Sequence, residues 1–486
     1  MLFSRRCLHL PRCLAGERHV AYDACVIGGG VVGTAVCREL ASQGFRTALF
    51  ERRSIGAGVS AGNTGIACTL LGVEDGSMEY SCLRRSLAAT ASTFEALNIP
   101  KLAVGTLYVA WSGKEMAILE SMASSSAGEV AHGRVDAMLP RLLSRAELRE
   151  EEPGLAAGAC GALLVPGETV VDPGLVPLAY AVDAFHNGAD IVEDAEISAA
   201  TRLGADDTWK LTLLRRGGEK GPDEVLAHHV VNCGGLDADR VQTCGSHHLS
   251  ALVRSQLQFR PRRGDYVIFR PPIDGPYERP LRRPIGNVPT AAARGVYVWA
   301  TVHGEVVVGP TNVEQSEKEL PIPQPSTLDA LRQTAVDVCP ALADYRMVAS
   351  YAGLRPALDS KLWGTDYAIR TCSESAWTNV AGIRSTGLTA SLGIAAAVAA
   401  QVASARQRAA SFAPPALTAS VAPLPSLEEL RQGFADRGDG TLEIRGRRWR
   451  VNHPQTILGL AGARITDFKA RTSHEATSCG SRYWLL

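Results

Sequence analysis

Residues 22–33 read Tyr-Asp-Ala-Cys-Val-Ile-Gly-Gly-Gly-Val-Val-Gly, and this stretch decides the fold. Tyr22–Ile27 is a short β-rich run that leads straight into Gly28-Gly-Gly-Val-Val-Gly33. The Ala/Val/Leu-patterned segment that follows predicts a helix ending near Gly44. A second apolar run, Thr47–Phe50, stops at Glu51, 18 residues beyond Gly33. Strand, GxGxxG, helix, strand and acid in that order predict a dinucleotide-binding βαβ unit. Gly28 allows the tight turn, Gly30 lets the backbone approach a pyrophosphate, and Gly33 permits close helix–strand packing, while the helix N-terminus offers unpaired N–H groups. Glu51 can accept hydrogen bonds from ribose hydroxyls, and its charge repels a 2′-phosphate. The fingerprint serves NAD and FAD alike. It begins at residue 28 and no second GxGxxG in a βαβ setting follows, so one tightly held flavin that takes electrons from a small substrate is the simplest reading.

The rest of the composition narrows the class. A chain of 486 residues predicts two to four domain-sized units. Lys+Arg and Asp+Glu balance at 50 each, which excludes a broad nucleic-acid-binding or polybasic membrane surface. The 12 cysteines include no CxxC pair, and His228 and His229 lack a spaced third ligand, so no metal site is read. Residues 1–20 carry Arg5, Arg6, Arg12 and Arg18 with no acid before Glu17, the pattern of a mitochondrial transit segment. Residues 387–405 are uncharged but mostly Ala, which predicts a buried helix and not a membrane span.

Two later glycine segments belong with the first. Residues 225–235, Val-Leu-Ala-His-His-Val-Val-Asn-Cys-Gly-Gly, form an apolar strand closing on paired glycines. Far downstream, Tyr351-Ala-Gly-Leu-Arg-Pro356 and Thr378-Asn-Val-Ala-Gly-Ile-Arg-Ser-Thr-Gly-Leu-Thr-Ala390 again read as strand, glycine turn and helix N-terminus. With 60–72 (SAGNTGIACTLLG), 261–269 (PRRGDYVIF) and 300–311 (ATVHGEVVVGPT), the chain resembles the D-amino-acid-oxidase-like superfamily of FAD-dependent oxidoreductases from residue 22 to about 405. Within it, the chain is most similar to the glycerol-3-phosphate dehydrogenase-like and L-2-hydroxyglutarate dehydrogenase-like flavoproteins.

The resemblance implies roles for particular positions. Gly28, Gly30, Gly33 and Glu51 fall on the ADP half of FAD. Ser60, Gly62, Asn63, Thr64 and Gly65 fall beside the flavin and its pyrophosphate. Ile197 meets adenine through its backbone, and Gly234 and Gly235 close a second contact. Gly382, Gly387, Leu388 and Thr389 approach the isoalloxazine, and Arg355 is the residue for the substrate anion. Cys68 stands where relatives place a histidine beside the flavin. A thiol is a poorer acceptor of a hydroxyl proton near neutral pH. His303 is a candidate for reaching the flavin from a turn, and Arg262 and Arg263 are further candidates for holding a substrate anion.

These readings combine into an α/β protein with a discontinuous Rossmann-like FAD-binding domain and a substrate domain floored by an antiparallel sheet. The FAD part is expected at 21–97, 165–245 and 345–405, the substrate part at 98–164 and 246–344, and a C-terminal extension at 406–486. The alternating runs Gly295–Ala300 and Glu305–Val308 suit the sheet. The expected chemistry is hydride removal from a small anionic hydroxy substrate, with electrons passing on to a quinone, an electron-transfer protein or oxygen. An amine or amino-acid oxidase, and a flavin-binding assembly factor without turnover, stand as alternatives because of Cys68.

Overall fold

The structure, a computed structural model, describes residues 21–128, 139–204, 208–215, 223–249, 257–272, 279–289, 295–319, 323–408, 419–462 and 481–485. The leader read at 1–20 lies outside the described residues. Two large sheets organise the chain. In the first, Tyr22–Ile27 lies between Thr47–Phe50 and Asp223–Asn232, parallel to both, and Asp190–Val192 continues the parallel order outward. Trp377–Ala381 joins the end of Asp223–Asn232 in parallel, and Ala195–Leu203 and Thr208–Arg215 complete the other side as an antiparallel hairpin.

Parallel strands must be covered on both faces, so they read as unbroken apolar runs instead of alternating ones. On one face the helices Val31–Ser42, Met78–Ala96, Leu175–His186 and Gly387–Arg408 share a core. The Ala-rich stretch Gly387–Ala405 is long and apolar enough to cross a membrane, but here it packs between Val31–Ser42 and Met78–Ala96. Its small residues allow that: a Cβ on Gly393 would sit 1.9 Å from the Cys82 carbonyl oxygen. The opposite face is closed by Trp209 and Trp377, whose ring centroids are 5.0 Å apart.

The second sheet has ten strands among the described residues. Its order runs from Ser481–Leu485 through Arg346–Arg355, Arg262–Arg270, Val306–Gly309, Tyr297–Ala300, Ile285–Asn287, Thr106–Ala110 and Gly161–Val165 to Arg141–Ser144, with Val313–Glu314 beside Arg262–Arg270. Neighbours are antiparallel except Ile285–Asn287 against Thr106–Ala110. Arg346–Arg355 therefore belongs to this sheet, and the segment boundary read at 345 falls after Arg355.

The residues from 419 to 462 are not a unit apart. Leu424, Phe434, Trp449 and Ile457 share the core of the cofactor-side helices. A capping box, Ser426 with Glu429, starts the helix Leu427–Arg437. The hairpin Thr441–Ile444 and Arg447–Arg450 turns on Arg445 and Gly446, at φ +54° and +71°. Two positive φ values in a two-residue turn match the right-handed twist of the strands.

Candidate active site

Two adjoining cavities lie where the sheets meet. The first is a cleft at the carboxyl end of Tyr22–Ile27, where an open α/β sheet places its ligands. Gly28 adopts φ +112°, and a Cβ there would lie 2.4 Å from the Cys233 carbonyl oxygen. A Cβ on Gly33 would lie 1.9 Å from the Gly28 carbonyl oxygen. Both positions must be glycine for strand, turn and helix to close. Gly30 differs: it faces the cleft, caps Val31–Ser42 without any side-chain hydrogen bond, and has only Ser60 Oγ, at 3.1 Å, near its missing Cβ. A side chain at Gly30 would fill the cradle in front of the helix N-terminus.

Glu51 lines the same cleft and is 8% exposed. Its carboxylate accepts from Gly29 N–H at 2.7 Å and Arg53 N–H at 2.9 Å. Burial nevertheless pushes its pKa above the usual carboxylate value, with those two N–H groups opposing. Ile197, Gly234 and Gly235 line the cleft too, as do Ser60, Asn63 and Thr64. Gly382, Gly387 and Leu388 bring a second helix N-terminus to it. Of the positions named for the cofactor, Gly65 and Thr389 line neither cavity. Gly65 turns the chain behind the site at φ +77°, and Thr389 Oγ1 accepts from Cys68 N–H at 2.9 Å.

The second cavity, of about 460 Å³, opens beside the first and shares Val59, Asn63, Thr64, Ile66, Arg384 and Ser385 with it. Gly62 lines this one. Its floor is the second sheet, where Arg262 and Arg355 face each other across antiparallel strands. The Arg355 guanidinium donates to the carbonyls of Thr311 at 3.2 Å and Arg263 at 3.5 Å, and makes no ion pair among the described residues. Burial lowers its pKa, and Arg262 adds to that, while Tyr266 and Asp265 oppose it. Arg262 Nε is buried without a partner among the described residues. Arg384, also at this cavity, is paired with Glu79 at 3.0 Å.

Several sequence readings change here. Arg263 is not at the cavity: alternation along the strand sends it away from Arg262, and it pairs with Asp265 at 2.6 Å. His303 lines neither cavity. Its Nε2 donates to Asp172 at 2.6 Å, its ring lies against Gly459, and Arg431 approaches its Nδ1 at 3.3 Å. That buried pairing occupies the ring that a turn position had suggested for the flavin. Cys68 does line the second cavity, with its Sγ 3.5 Å from Thr389 Oγ1.

Glu168 was not singled out from sequence. It is 2% exposed and is the one carboxylate among the described residues lining the second cavity. Thr69 N–H, next to Cys68, lies 3.5 Å from its Oε1. The one local signal was an acid standing just before the short apolar strand Thr169–Val171. Asn452, His453 and Gln455 were likewise unread; they touch Ile55, Asn63 and Thr64.

The first cleft fits an FAD. Bare glycine backbone stands at a helix N-terminus for the pyrophosphate, Glu51 provides an acceptor for ribose, and the substrate cavity adjoins the second helix N-terminus. Residues 23–401 match the FAD dependent oxidoreductase family, DAO. A glycerol 3-phosphate dehydrogenase from Caloramator mitchellensis is 24% identical over 371 residues, covering 76% of this chain and 71% of that relative. A mitochondrial L-2-hydroxyglutarate dehydrogenase from Nematostella vectensis is 24% identical over 344 residues, covering 64% and 70%. Among solved structures, the FAD-bound L-alpha-glycerophosphate oxidase from Mycoplasma pneumoniae superposes with a TM-score of 0.70 at 21% identity, covering 84% of this chain and 99% of that one. The fold, the glycine cradle and the match over 23–401 agree: the chain belongs to the DAO family of FAD-dependent oxidoreductases.

Proposed function

We propose that the protein oxidises a small anionic hydroxy compound of the glycerol 3-phosphate or 2-hydroxy-acid kind. The observation that carries this is the pair Arg262 and Arg355, two guanidiniums on one cavity wall without a carboxylate partner among the described residues. A buried cation is costly unless it is paired, and a planar guanidinium suits carboxylate or phosphate oxygens. The names of the relatives, a glycerol 3-phosphate dehydrogenase and an L-2-hydroxyglutarate dehydrogenase, support the same substrate class.

Bound FAD supplies the two-electron hydride acceptor. The arginines hold the anionic group and so orient the hydroxyl-bearing carbon. As that carbon gives up its hydride, its hydroxyl proton passes to a Glu168 carboxylate oxygen and a carbonyl remains. This assigns to Glu168 the role a histidine would play at Cys68. Reoxidation falls to oxygen, a quinone or an electron-transfer protein. The test is a turnover assay with a dye acceptor on glycerol 3-phosphate and 2-hydroxy acids, repeated with R355L. Turnover with one of them that collapses in R355L supports the proposal, and turnover indifferent to R355L contradicts it.

Amine oxidation is a second reading, favoured by Glu168 standing in the same cavity as Arg355. An acid and an arginine together suit the ammonium and carboxylate of an amino acid. Glycine added to the same assay separates the two. A mitochondrial location is a further part of the proposal. It rests on the four arginines and the late first acid of residues 1–20, and fusing those residues to a reporter checks it.

A further inference from the structure

The family match ends at residue 401, yet the chain sends a later segment back to the cavities. The helix Pro454–Ala461 is capped by His453, whose Nδ1 accepts from Gln455 N–H at 3.2 Å. The same ring's Nε2 therefore carries the proton, and it donates to the Asn63 carbonyl at 3.0 Å. Gln455 Nε2 donates to the Thr64 carbonyl at 3.2 Å and to Tyr351 Oη at 2.8 Å. Tyr351 in turn donates to the Asn63 carbonyl at 3.3 Å and stacks on Tyr266, with ring centroids 4.3 Å apart. Asn452 Nδ2 and Thr456 Oγ1 anchor the segment on either side, to the Ile55 carbonyl and to Asp172.

Asn63 and Thr64 line both cavities, so the two carbonyls held from behind belong to the backbone that separates cofactor from substrate. In a planar trans peptide the C=O and the following N–H point in opposite directions. Fixing the Asn63 carbonyl towards His453 and Tyr351 thus turns the Thr64 N–H away from them, towards the cavity side. That N–H makes no hydrogen bond among the described residues.

We infer that the segment Asn452–Thr456 is part of the cofactor site: His453 directly, and Gln455 through Tyr351, are positioning residues that fix the Asn63 carbonyl and so present the Thr64 N–H to bound flavin, while Gln455 also holds the next carbonyl, that of Thr64. Both are 1% exposed, so their hydrogen bonds are not shared with water. Burial lowers the His453 pKa to about 4, which keeps the ring a single-proton donor at neutral pH. The inference rests on FAD binding by the wild-type protein and adds that the C-terminal segment tunes it.

The test uses the full chain carrying Q455M, H453F or L460A. Leu460 is 2% exposed in the same helix and has no part in the clamp, so L460A controls for loss of packing. FAD affinity, visible circular dichroism of the bound flavin and its midpoint potential are measured, together with thermal unfolding of the FAD-free protein. Each clamp variant loses its hydrogen bond to a half-buried carbonyl of the site, which is expected to weaken FAD binding about tenfold. The inference holds if Q455M or H453F weakens binding by this amount and changes the flavin dichroism or potential, while L460A lowers the unfolding temperature without those changes. It is overturned if both clamp variants keep the wild-type affinity, dichroism and potential, or if L460A alters them as much. Should either clamp variant not fold, the other decides alone. Wild-type protein that binds no FAD would instead contradict the family-level reading, a separate outcome.

Discussion

Arg262 and Arg355 stand directly opposite each other across two antiparallel strands, and both face one cavity. Directly opposed like charges destabilise a sheet, and the proposed substrate anion between them would offset that cost. Truncating one member of a buried, hydrogen-bonded charge pair costs about 2–5 kcal/mol. R355L is therefore expected to lower kcat/KM on the anionic substrate about 10²- to 10³-fold. R262L should lower it less, because Arg355 is the guanidinium that the Thr311 and Arg263 carbonyls hold in place. Steady-state kinetics on both variants check this, and values equal to wild type would remove the anion site from this wall.

Glu168 and Cys68 should separate sharply. Removing a general base costs about 10²- to 10⁴-fold in rate. E168Q is expected to slow flavin reduction in that range and to leave substrate affinity within a few-fold. C68S should change the rate little, since its thiol contacts Thr389 and the proposed proton acceptor is Glu168. Stopped-flow reduction measures both; a slower C68S than E168Q would reverse the assignment.

The glycines divide by consequence. G33A forces a Cβ to 1.9 Å from the Gly28 carbonyl oxygen and should destabilise the FAD-free protein by about 1–3 kcal/mol or more. G30V meets only the Ser60 hydroxyl, 3.1 Å from its Cβ, and projects into the cleft, so it should cost the FAD-free fold less than G33A while abolishing retained flavin. Flavin content and urea midpoints of the two variants are the measurements.

Two buried histidines make stability depend on pH. Burial lowers His229 to about 3 and His453 to about 4, below the ordinary value near 6.5. The unfolded chain takes up these protons first as the pH falls. Their contribution to stability is therefore complete above pH 6.5 and is lost on going down to about 4 and then 3, about 3 kcal/mol or more for each. Urea midpoints of the FAD-free protein at about pH 7.5 and 4.5 should differ accordingly, and H229Q should reduce that difference.

What the sequence made legible was local. Gly28, Gly30, Gly33 and Glu51 sit within one βαβ unit, where spacing alone carries the geometry; Arg355 was legible as a site residue, but the glycine turn read around it is the end of a strand, with Gly353 paired to Gly264. What it concealed depends on contacts far apart in the chain. His303 looked free to reach the cofactor until folding brought Asp172 to its Nε2. The clamp joins His453 to Asn63 across 390 positions, and nothing near either residue announces the other. Residues 345–355 read as cofactor-side because Tyr351–Pro356 was grouped with the other glycine segments, yet the backbone pairing of Arg346–Arg355 puts it in the second sheet.

The most direct measurement is the absorbance spectrum of the purified, FAD-loaded protein under anaerobic conditions, before and after adding glycerol 3-phosphate, L-2-hydroxyglutarate or glycine separately. Loss of the oxidised flavin band near ~450 nm with one of the two hydroxy compounds is the expected result, since the cofactor receives the electrons. A band that persists with both hydroxy compounds but is bleached by glycine, or that persists with all three, would contradict oxidation of a small anionic hydroxy substrate.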